Sequence, residues 1–370
     1  MVIRSKTKNL FEGKPLSSIQ QQNSDMNLRE LENGDTILQS KPRRIVLELT
    51  NACNLNCTMC GRNAVDFKLT QLDMASFYSL EPLFDVVEEV TLMGWGEPTI
   101  HPNFEEMLQV ISKYAAGKYF CSNGMRLDKL KKTIFDCNVD VFAVSVDGAT
   151  QKTNGAIRIG SDLDKINRDL AAIVSEKREK GLKYPHINYV FCAMKRNLHE
   201  LSDVVSMAAE VGLEEVKVVF LTAFGEALEN EVLYGAENEV ARAFDAATKR
   251  AEESGLLLKL PYVCGSDPAG DALHRDCFTA YRDFYLGSDG YVRPCMSSSD
   301  KFFKYDPSRN FMDIWNAPEY QRYRKTVNSA KMPKQCRSCY QSSHCNWNNK
   351  KSYIQLGEEF APAWKDDGHV

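Results

Sequence analysis

Arg44-Ile45-Val46-Leu47-Glu48-Leu49, followed by Cys53-Asn54-Leu55-Asn56-Cys57-Thr58-Met59-Cys60, is the stretch from which the fold and the chemistry can both be read. The first run is apolar and β-branched, the composition of a strand, and three thiols at CxxxCxxC spacing follow at its C-terminal end. Thiolates bind soft metals and iron–sulfur clusters. A zinc site usually closes a tetrahedron with four ligands, often from CxxC pairs, whereas this triplet has no fourth Cys or His close by. Three thiolates on a [4Fe–4S] cluster leave one iron without a protein ligand, and an open coordination position allows reaction.

From Arg43 onward, short strand-like runs alternate with amphipathic stretches, the pattern of repeated β-α units around a parallel sheet. The expected strands are Arg44–Leu49, Glu89–Met93, Lys118–Cys121, Val139–Val146, His186–Cys192 and Glu215–Leu221. Helix patterns cover Asp73–Val87, Asn103–Ala115, Leu127–Asp136, Asp162–Lys180, Leu198–Val211 and Glu237–Gly255, with Asn103 and Asp162 as N-cap residues. The fold class is therefore α/β, a partial (β/α)6 TIM-like barrel. Its functional end should be the C-terminal ends of the strands.

Residues 1–42 are polar and lack sustained periodicity, so a loosely ordered N-terminal arm is expected, with at most a short helix around Asn27–Leu31. The core should run over 43–260. After Leu260 the texture turns to Pro, Gly, Asp, Cys and aromatics, which marks a second domain over 261–370. There Tyr281–Leu286 and Tyr291-Val292-Arg293 flank Gly287-Ser288-Asp289-Gly290 and predict a hairpin. Cys277 and Cys295 stand just outside its arms, and Cys336-Arg337-Ser338-Cys339 follows a helix expected over Met312–Thr326. Four thiols can complete one tetrahedral all-cysteine site, a zinc ribbon or a closed cluster.

The chain has 370 residues and a net charge of −4 with no basic face, which argues against nucleic acid as a partner. No apolar run approaches the roughly 18 residues of a membrane helix, and the start lacks a signal-peptide segment, so a cytoplasmic protein is expected. Twelve cysteines in such a chain point to metal or redox chemistry rather than disulfides. Cys121, Cys137 and Cys192 are expected to pack in the core.

The CxxxCxxC triplet after a first strand resembles the radical S-adenosylmethionine (SAM) family. Gly94-Trp95-Gly96-Glu97-Pro98 resembles that family's GGEP motif, with Trp95 between the glycines and Met59 where an aromatic residue is common. The resemblance implies that Glu97 and the backbone at Gly94 and Gly96 hold the SAM ammonium, a role that suits a carboxylate. Cys121-Ser122-Asn123-Gly124 and Ser145-Val146-Asp147-Gly148 resemble two further SAM-contacting segments, implying contacts from Asn123, Ser145 and Asp147. Arg158 stands where related enzymes place an arginine for the SAM carboxylate, and Asn188 is a weaker candidate. Capping or turn hydrogen bonds are the competing reading for Asn123, Ser145 and Asn188, and a surface salt bridge for Arg158.

C-x12-G-x4-C followed by an Ile-Trp-Asn helix and CxxC resembles the auxiliary-cluster extension called SPASM, or its shorter form, twitch. The resemblance implies two cofactors besides SAM: a SAM-binding [4Fe–4S] cluster on Cys53, Cys57 and Cys60, and one auxiliary [4Fe–4S] cluster on Cys277, Cys295, Cys336 and Cys339. It also implies a reducing protein such as flavodoxin or ferredoxin. The spacings resemble the twitch-bearing aminocyclitol dehydrogenase of butirosin biosynthesis, which favours oxidation of a secondary alcohol on a sugar or aminocyclitol-like small molecule. Two alternatives stand beside it: epimerisation of a sugar, with Cys264 or Cys345 as hydrogen donor, and maturation of a peptide. An iron–sulfur carrier or zinc-stabilised binding protein would leave the GWGEP segment unexplained. No motif marks the substrate residues, although Glu48, His101, Asp147, Tyr189 and Glu226 could face the cavity.

Overall fold

Strand-forming runs recur along the chain as β1 (Val2–Arg4), β2 (Arg44–Leu47), β3 (Asn56–Cys57), β4 (Glu89–Leu92), β5 (Gly117–Ser122), β6 (Val141–Ser145), β7 (Arg158–Ile159), β8 (His186–Ala193), β9 (Glu215–Phe220), β10 (Leu257–Leu260), β11 (Asp283–Leu286), β12 (Tyr291–Arg293) and β13 (Phe303–Lys304). The helices are α1 (Ser18–Asn33), α2 (Met74–Ser79), α3 (Phe104–Ile111), α4 (Leu127–Asp136), α5 (Gln151–Ile157), α6 (Leu163–Glu179), α7 (Leu201–Val211), α8 (Glu237–Ser254), α9 (Thr279–Arg282), α10 (Phe311–Trp315) and α11 (Pro318–Thr326). The computed structural model describes residues 2–4, 14–64, 67–223, 226–233, 235–261, 277–295 and 300–327, with positions 329, 331, 333 and 336.

The six expected strands, β2, β4, β5, β6, β8 and β9, lie side by side in chain order and pair in parallel, the partial (β/α)6 barrel. The sheet runs on past both edges, in the order β1-β10-β9-β8-β6-β5-β4-β2-β11-β12-β13. On one side β10 and β1 add in parallel. On the other, β11 pairs in parallel with β2 and turns back through β12 as the expected hairpin.

Parity along the strands assigns the two faces of the sheet. Ile45, Leu47, Phe120, Phe142, Val144, Ile187, Phe191, Val216 and Val218 join the main core cluster with the helices. The alternate residues, among them Glu48, Cys121, Ser145, Asn188, Cys192 and Lys217, therefore face the concave side. Cys137 is buried in the main core as expected, whereas Cys121 and Cys192 are half-buried on the concave face, because a strand turns every second side chain inward; Cys192 packs there against a second, small apolar cluster. Tyr189 points outward, its hydroxyl donating to Asn167 Oδ1 at 2.6 Å, and buried His101 bonds the Leu72 carbonyl at 3.1 Å; neither faces the cavity. The side chain of Glu226, Cys264, Cys339 and Cys345 lie outside the described residues.

The N-terminal arm is more ordered than its composition suggests. Ser17 and Gln20 form a capping box at the start of α1, and Gly34 ends it with φ 71°. The buried face of α1 is polar rather than apolar. Gln20 donates to the Val87 carbonyl at 2.7 Å, Asn27 to the Tyr281 carbonyl at 2.8 Å, and Glu30 accepts from Gln39 N at 2.6 Å. Arg324 in α11 completes this junction, with donors to the carbonyls of Thr36, Ala280 and Trp315 at 3.0, 3.1 and 2.8 Å. Burial draws its guanidinium down to about 10. Trp315 is fully buried and packs 4.7 Å from Tyr320. The expected helix over 312–326 is broken in two at Asn316-Ala317-Pro318, since the proline starts a new helix rather than continuing the old one. Asn103 is the N-cap of α3 as expected, but its side chain makes no capping hydrogen bond; its amide donates to Glu106 Oε2 at 2.8 Å instead.

Candidate active site at the C-terminal ends of the strands

Cys53, Cys57 and Cys60 are half-buried in the loop that leaves β2. The two-residue pairing of β3 with β7 sets Cys57 opposite Arg158. Arg158 Nη1 lies 3.9 Å from Cys57 Sγ, and Arg158 Nε lies 2.7 Å from Asp147 Oδ2. Asp147 is fully buried, and its second oxygen accepts from Cys192 N at 2.7 Å. Its backbone N–H donates at 2.8 Å to Asn154, on helix α5, which the sequence reading missed. Asp147 is thus a support for Arg158, with both carboxylate oxygens engaged. Burial pushes the Cys57 thiol up to about 11 while the Arg158 guanidinium pulls it down.

Glu97 is buried, and the loop around it is shaped by close backbone approach. A Cβ at Gly96 would stand 2.3 Å from the Thr50 and Ala52 carbonyls, and one at Gly94 would stand 2.3 Å from Glu48 Cγ. Only glycine fits at either position. Glu97 Oε1 accepts from Ser122 Oγ at 2.8 Å and Thr99 Oγ1 at 2.6 Å, and Oε2 accepts from Asn123 N at 2.7 Å. Burial raises its carboxyl above the ordinary range, against the pull of these donors.

Asn123 Nδ2 donates to Asn54 Oδ1 at 2.8 Å and approaches Cys53 Sγ at 3.8 Å, so it braces the cysteine loop. Ser145 Oγ stands 3.6 Å from Cys121 Sγ. Asn188 is buried, with its amide nitrogen on the Tyr189 carbonyl at 3.2 Å and its Oδ1 lacking a hydrogen-bond partner among the described residues. Met59 packs beside Cys192 on a small apolar cluster of Ile157, Met194, Leu221, Ala223 and Val232.

One further side chain carried no sequence signal. Lys217 on β9 faces the concave side, and no carboxylate lies at ion-pair distance from it among the described residues. Glu215, the nearest acid along the strand, is taken by Lys259 at 2.7 Å and His186 at 3.3 Å. Burial draws the Lys217 amine below its ordinary range. Which face of β9 it lies on, and the absence of an ion-pair partner among the described residues, are properties of the assembled sheet.

At the other end of the chain, Cys277 precedes α9, Cys295 follows β12, and Cys336 lies past α11. All three thiols act on Tyr323, which is buried and donates to Cys277; with burial they hold its phenol well above the ordinary range.

Residues 47–183 match the radical SAM superfamily, and residues 277–340 match SPASM, an iron–sulfur cluster-binding domain. The chain is a radical SAM protein with a C-terminal SPASM domain. It uses a SAM-binding [4Fe–4S] cluster, S-adenosylmethionine and an auxiliary iron–sulfur cluster. The tungsten-containing aldehyde ferredoxin oxidoreductase cofactor-modifying protein of Pyrococcus furiosus is 24% identical over 327 residues, 82% of this chain and 88% of that protein. PqqA peptide cyclase of Gluconobacter oxydans is 26% identical over 313 residues, 82% of this chain and 84% of that one. The solved structure of Streptococcus suis SuiB bound to its precursor peptide SuiA shares the fold, with a TM-score of 0.61 at 16% identity over 82% of this chain and 71% of SuiB.

The residues fit these groups. Among the described residues no three Cys, His, Asp or Glu side chains converge as a single metal ion requires; a cubane instead takes its thiolates at separate corners. The buried Asn188 Oδ1, which has no hydrogen-bond partner among the described residues, offers a small polar ligand an acceptor. No helix among the described residues is long and apolar enough to cross a membrane.

Proposed function

We propose that this radical SAM enzyme modifies a peptide and that Lys217 holds a carboxylate of that peptide inside the barrel. Lys217 is the observation that carries the reading. Lys217 is half-buried and no carboxylate lies at ion-pair distance among the described residues; an ammonium so placed is costly, so a substrate that brings a carboxylate is favoured there and a cationic aminocyclitol is disfavoured. The likeness to PqqA peptide cyclase along both domains points the same way. Preference therefore moves from alcohol dehydrogenation and sugar epimerisation to the peptide.

In this reading Cys53, Cys57 and Cys60 hold the first cluster, and Cys277, Cys295, Cys336 and Cys339 hold one auxiliary cluster. Glu97, with the backbone at Gly94 and Gly96, takes the SAM ammonium by a charge-assisted hydrogen bond. Arg158, held in place by Asp147, takes the SAM carboxylate. Ser145 and Asn188 Oδ1 take hydroxyl groups, and Met59 with its apolar neighbours flanks the adenine. When bound, the cluster and SAM supply a 5′-deoxyadenosyl radical able to remove a hydrogen atom from an unactivated C–H bond. The chain's own part is to hold that C–H bond in reach and keep water away. A reducing protein such as flavodoxin or ferredoxin supplies the electron.

The test is anaerobic reconstitution followed by reaction with peptides encoded beside the gene, deuterated at individual residues. Full loading is about eight irons per chain, two clusters of four. Deuterium passing from a peptide residue into 5′-deoxyadenosine supports the proposal. Deuterium passing only from the carbinol of a sugar or aminocyclitol, with a ketone formed, returns the function to alcohol oxidation.

A further inference from the structure

Glu48 sits just past the end of β2, 2% exposed, between the loop at 94–97 and the turn of the β11–β12 hairpin. Its Oε1 accepts from Trp95 N at 2.9 Å. Its Oε2 accepts from Ser288 N at 3.2 Å and from Ser288 Oγ at 2.9 Å. Gly94 is pressed against its side chain, where no Cβ fits. Ser288 is tied back to the cysteine loop as well, since its hydroxyl shares a 2.8 Å hydrogen bond with Thr70, and Thr70 N donates to Asn51 Oδ1 at 2.8 Å. The far side of the turn is clamped by fully buried Arg293, whose Nη1 and Nη2 reach the two Asp289 oxygens at 2.8 and 2.6 Å.

One carboxylate therefore joins two parts of the chain that the cofactors use separately. The loop at 94–97 has two backbone tethers at its start and end: Trp95 N on Glu48, and Glu97 N on the Ala52 carbonyl at 2.8 Å. The second comes from the cysteine loop. The first comes from a side chain whose other oxygen is held by the auxiliary-cluster domain.

We propose that Glu48 is a positioning residue through which the docked β11–β12 hairpin sets the loop at 94–97 for S-adenosylmethionine. The SAM site of the core is then complete only when the C-terminal hairpin is seated on it. Physically, three donors converge on a carboxylate that has no second set of acceptors to offer. Removing the carboxylate leaves Trp95 N and Ser288 N without their partners. An amide at this position keeps one oxygen but turns an NH2 toward a donor, so it restores only part of the arrangement.

This inference rests on the assignment of Glu97 and its loop to SAM, and not on the identity of the substrate. The experiment measures substrate-free, reductant-driven cleavage of SAM by the reconstituted full-length enzyme, with iron content and the electron paramagnetic resonance spectrum of each cluster. Glu48→Ala is expected to raise KM for SAM about ten-fold, the effect of a lost charge-assisted hydrogen bond, at unchanged iron content. Glu48→Gln should give a smaller rise, and Ser288→Ala, on the other domain, a rise in the same direction. The double variant Glu48→Ala/Ser288→Ala should be no worse than Glu48→Ala alone. Glu97→Gln serves as control: if it leaves KM for SAM unchanged, the loop assignment fails. If it raises KM while Ser288→Ala and Glu48→Gln do not, the assignment stands and the coupling is overturned. Should Glu48→Ala lose its iron, Ser288→Ala and Glu48→Gln decide the matter by the same readouts.

Discussion

Arg158 faces Cys57 across the β3–β7 pair, its guanidinium 3.9 Å from the thiol and 2.7 Å from buried Asp147. The same cation is thus aimed at the Cys57 thiol and fixed from behind. Asp147→Asn keeps the shape but removes the charge, so Arg158 loses its anchor. SAM affinity is expected to fall about ten-fold or more in equilibrium binding to the reconstituted enzyme. Asp147→Ala leaves the guanidinium buried and unpaired, a change that typically costs about 3–5 kcal/mol of stability and is read from denaturant midpoints.

Glu97→Gln removes a negative charge without changing volume. A hydrogen bond to a charged group contributes about 1.5–3 kcal/mol, so KM for SAM should rise about ten- to hundred-fold while iron content stays as in the parent enzyme. Equal SAM affinity in the two proteins would remove Glu97 from the site.

Lys217→Met should leave substrate-free SAM cleavage unchanged and reduce peptide-dependent turnover, chiefly through KM for the peptide. Lys217→Arg should recover part of the loss, because it restores the charge with different geometry. A matched peptide with its carboxylates amidated should bind the parent enzyme weakly and be indifferent to the substitution. If the amidated and free peptides behave alike on the parent enzyme, Lys217 is not their anchor.

Asp283 lies beneath the site at the start of β11, where Arg44 Nε reaches it at 3.0 Å and Arg282 also pairs with it. The pair of arginines holds its carboxyl below the ordinary carboxylate range, although burial alone would raise it. The stabilisation is therefore full above the unfolded pKa of about 3.9 and is lost as pH falls through the lower folded value. Asp283→Asn should lower the denaturant midpoint at neutral pH, by the equivalent of about 3–5 kcal/mol. The gap between parent and variant should close in acid.

The β-α pattern was legible because the central strands carry runs such as Val141–Val144 and Ile187–Phe191, and helices such as Leu127–Asp136 show a clean apolar face. Helix α1 was not, since the side chains it buries are Gln20, Ser24, Asn27 and Glu30, which periodicity scores as exposed. Ser17 three residues before Gln20, with Gly34 at the end, was the signal that could have found it. The triplet was singled out by its spacing and Glu97 by its resemblance to a family motif, and the structure brings Glu97 onto Asn123, which braces the cysteine loop. Glu48, Lys217 and the true orientation of Cys121 and Cys192 depend on which face of a strand is inside and on partners from distant segments. Those are properties of the assembled sheet.

The parallel pairing of β11 with β2 has a consequence for biosynthesis. β2 meets β4 early in the chain, but its other edge is covered by residues 283–286, made more than two hundred positions later. While the ribosome is still producing the intervening helices, the first strand of the nascent barrel presents a bare row of amides and carbonyls, and Glu48 waits there without Ser288. Exposed edges of this kind invite pairing with other chains. A chain released before the hairpin emerges should aggregate rather than fold as a smaller enzyme, so the segment that carries the auxiliary thiols also ends the vulnerable phase of the core's synthesis.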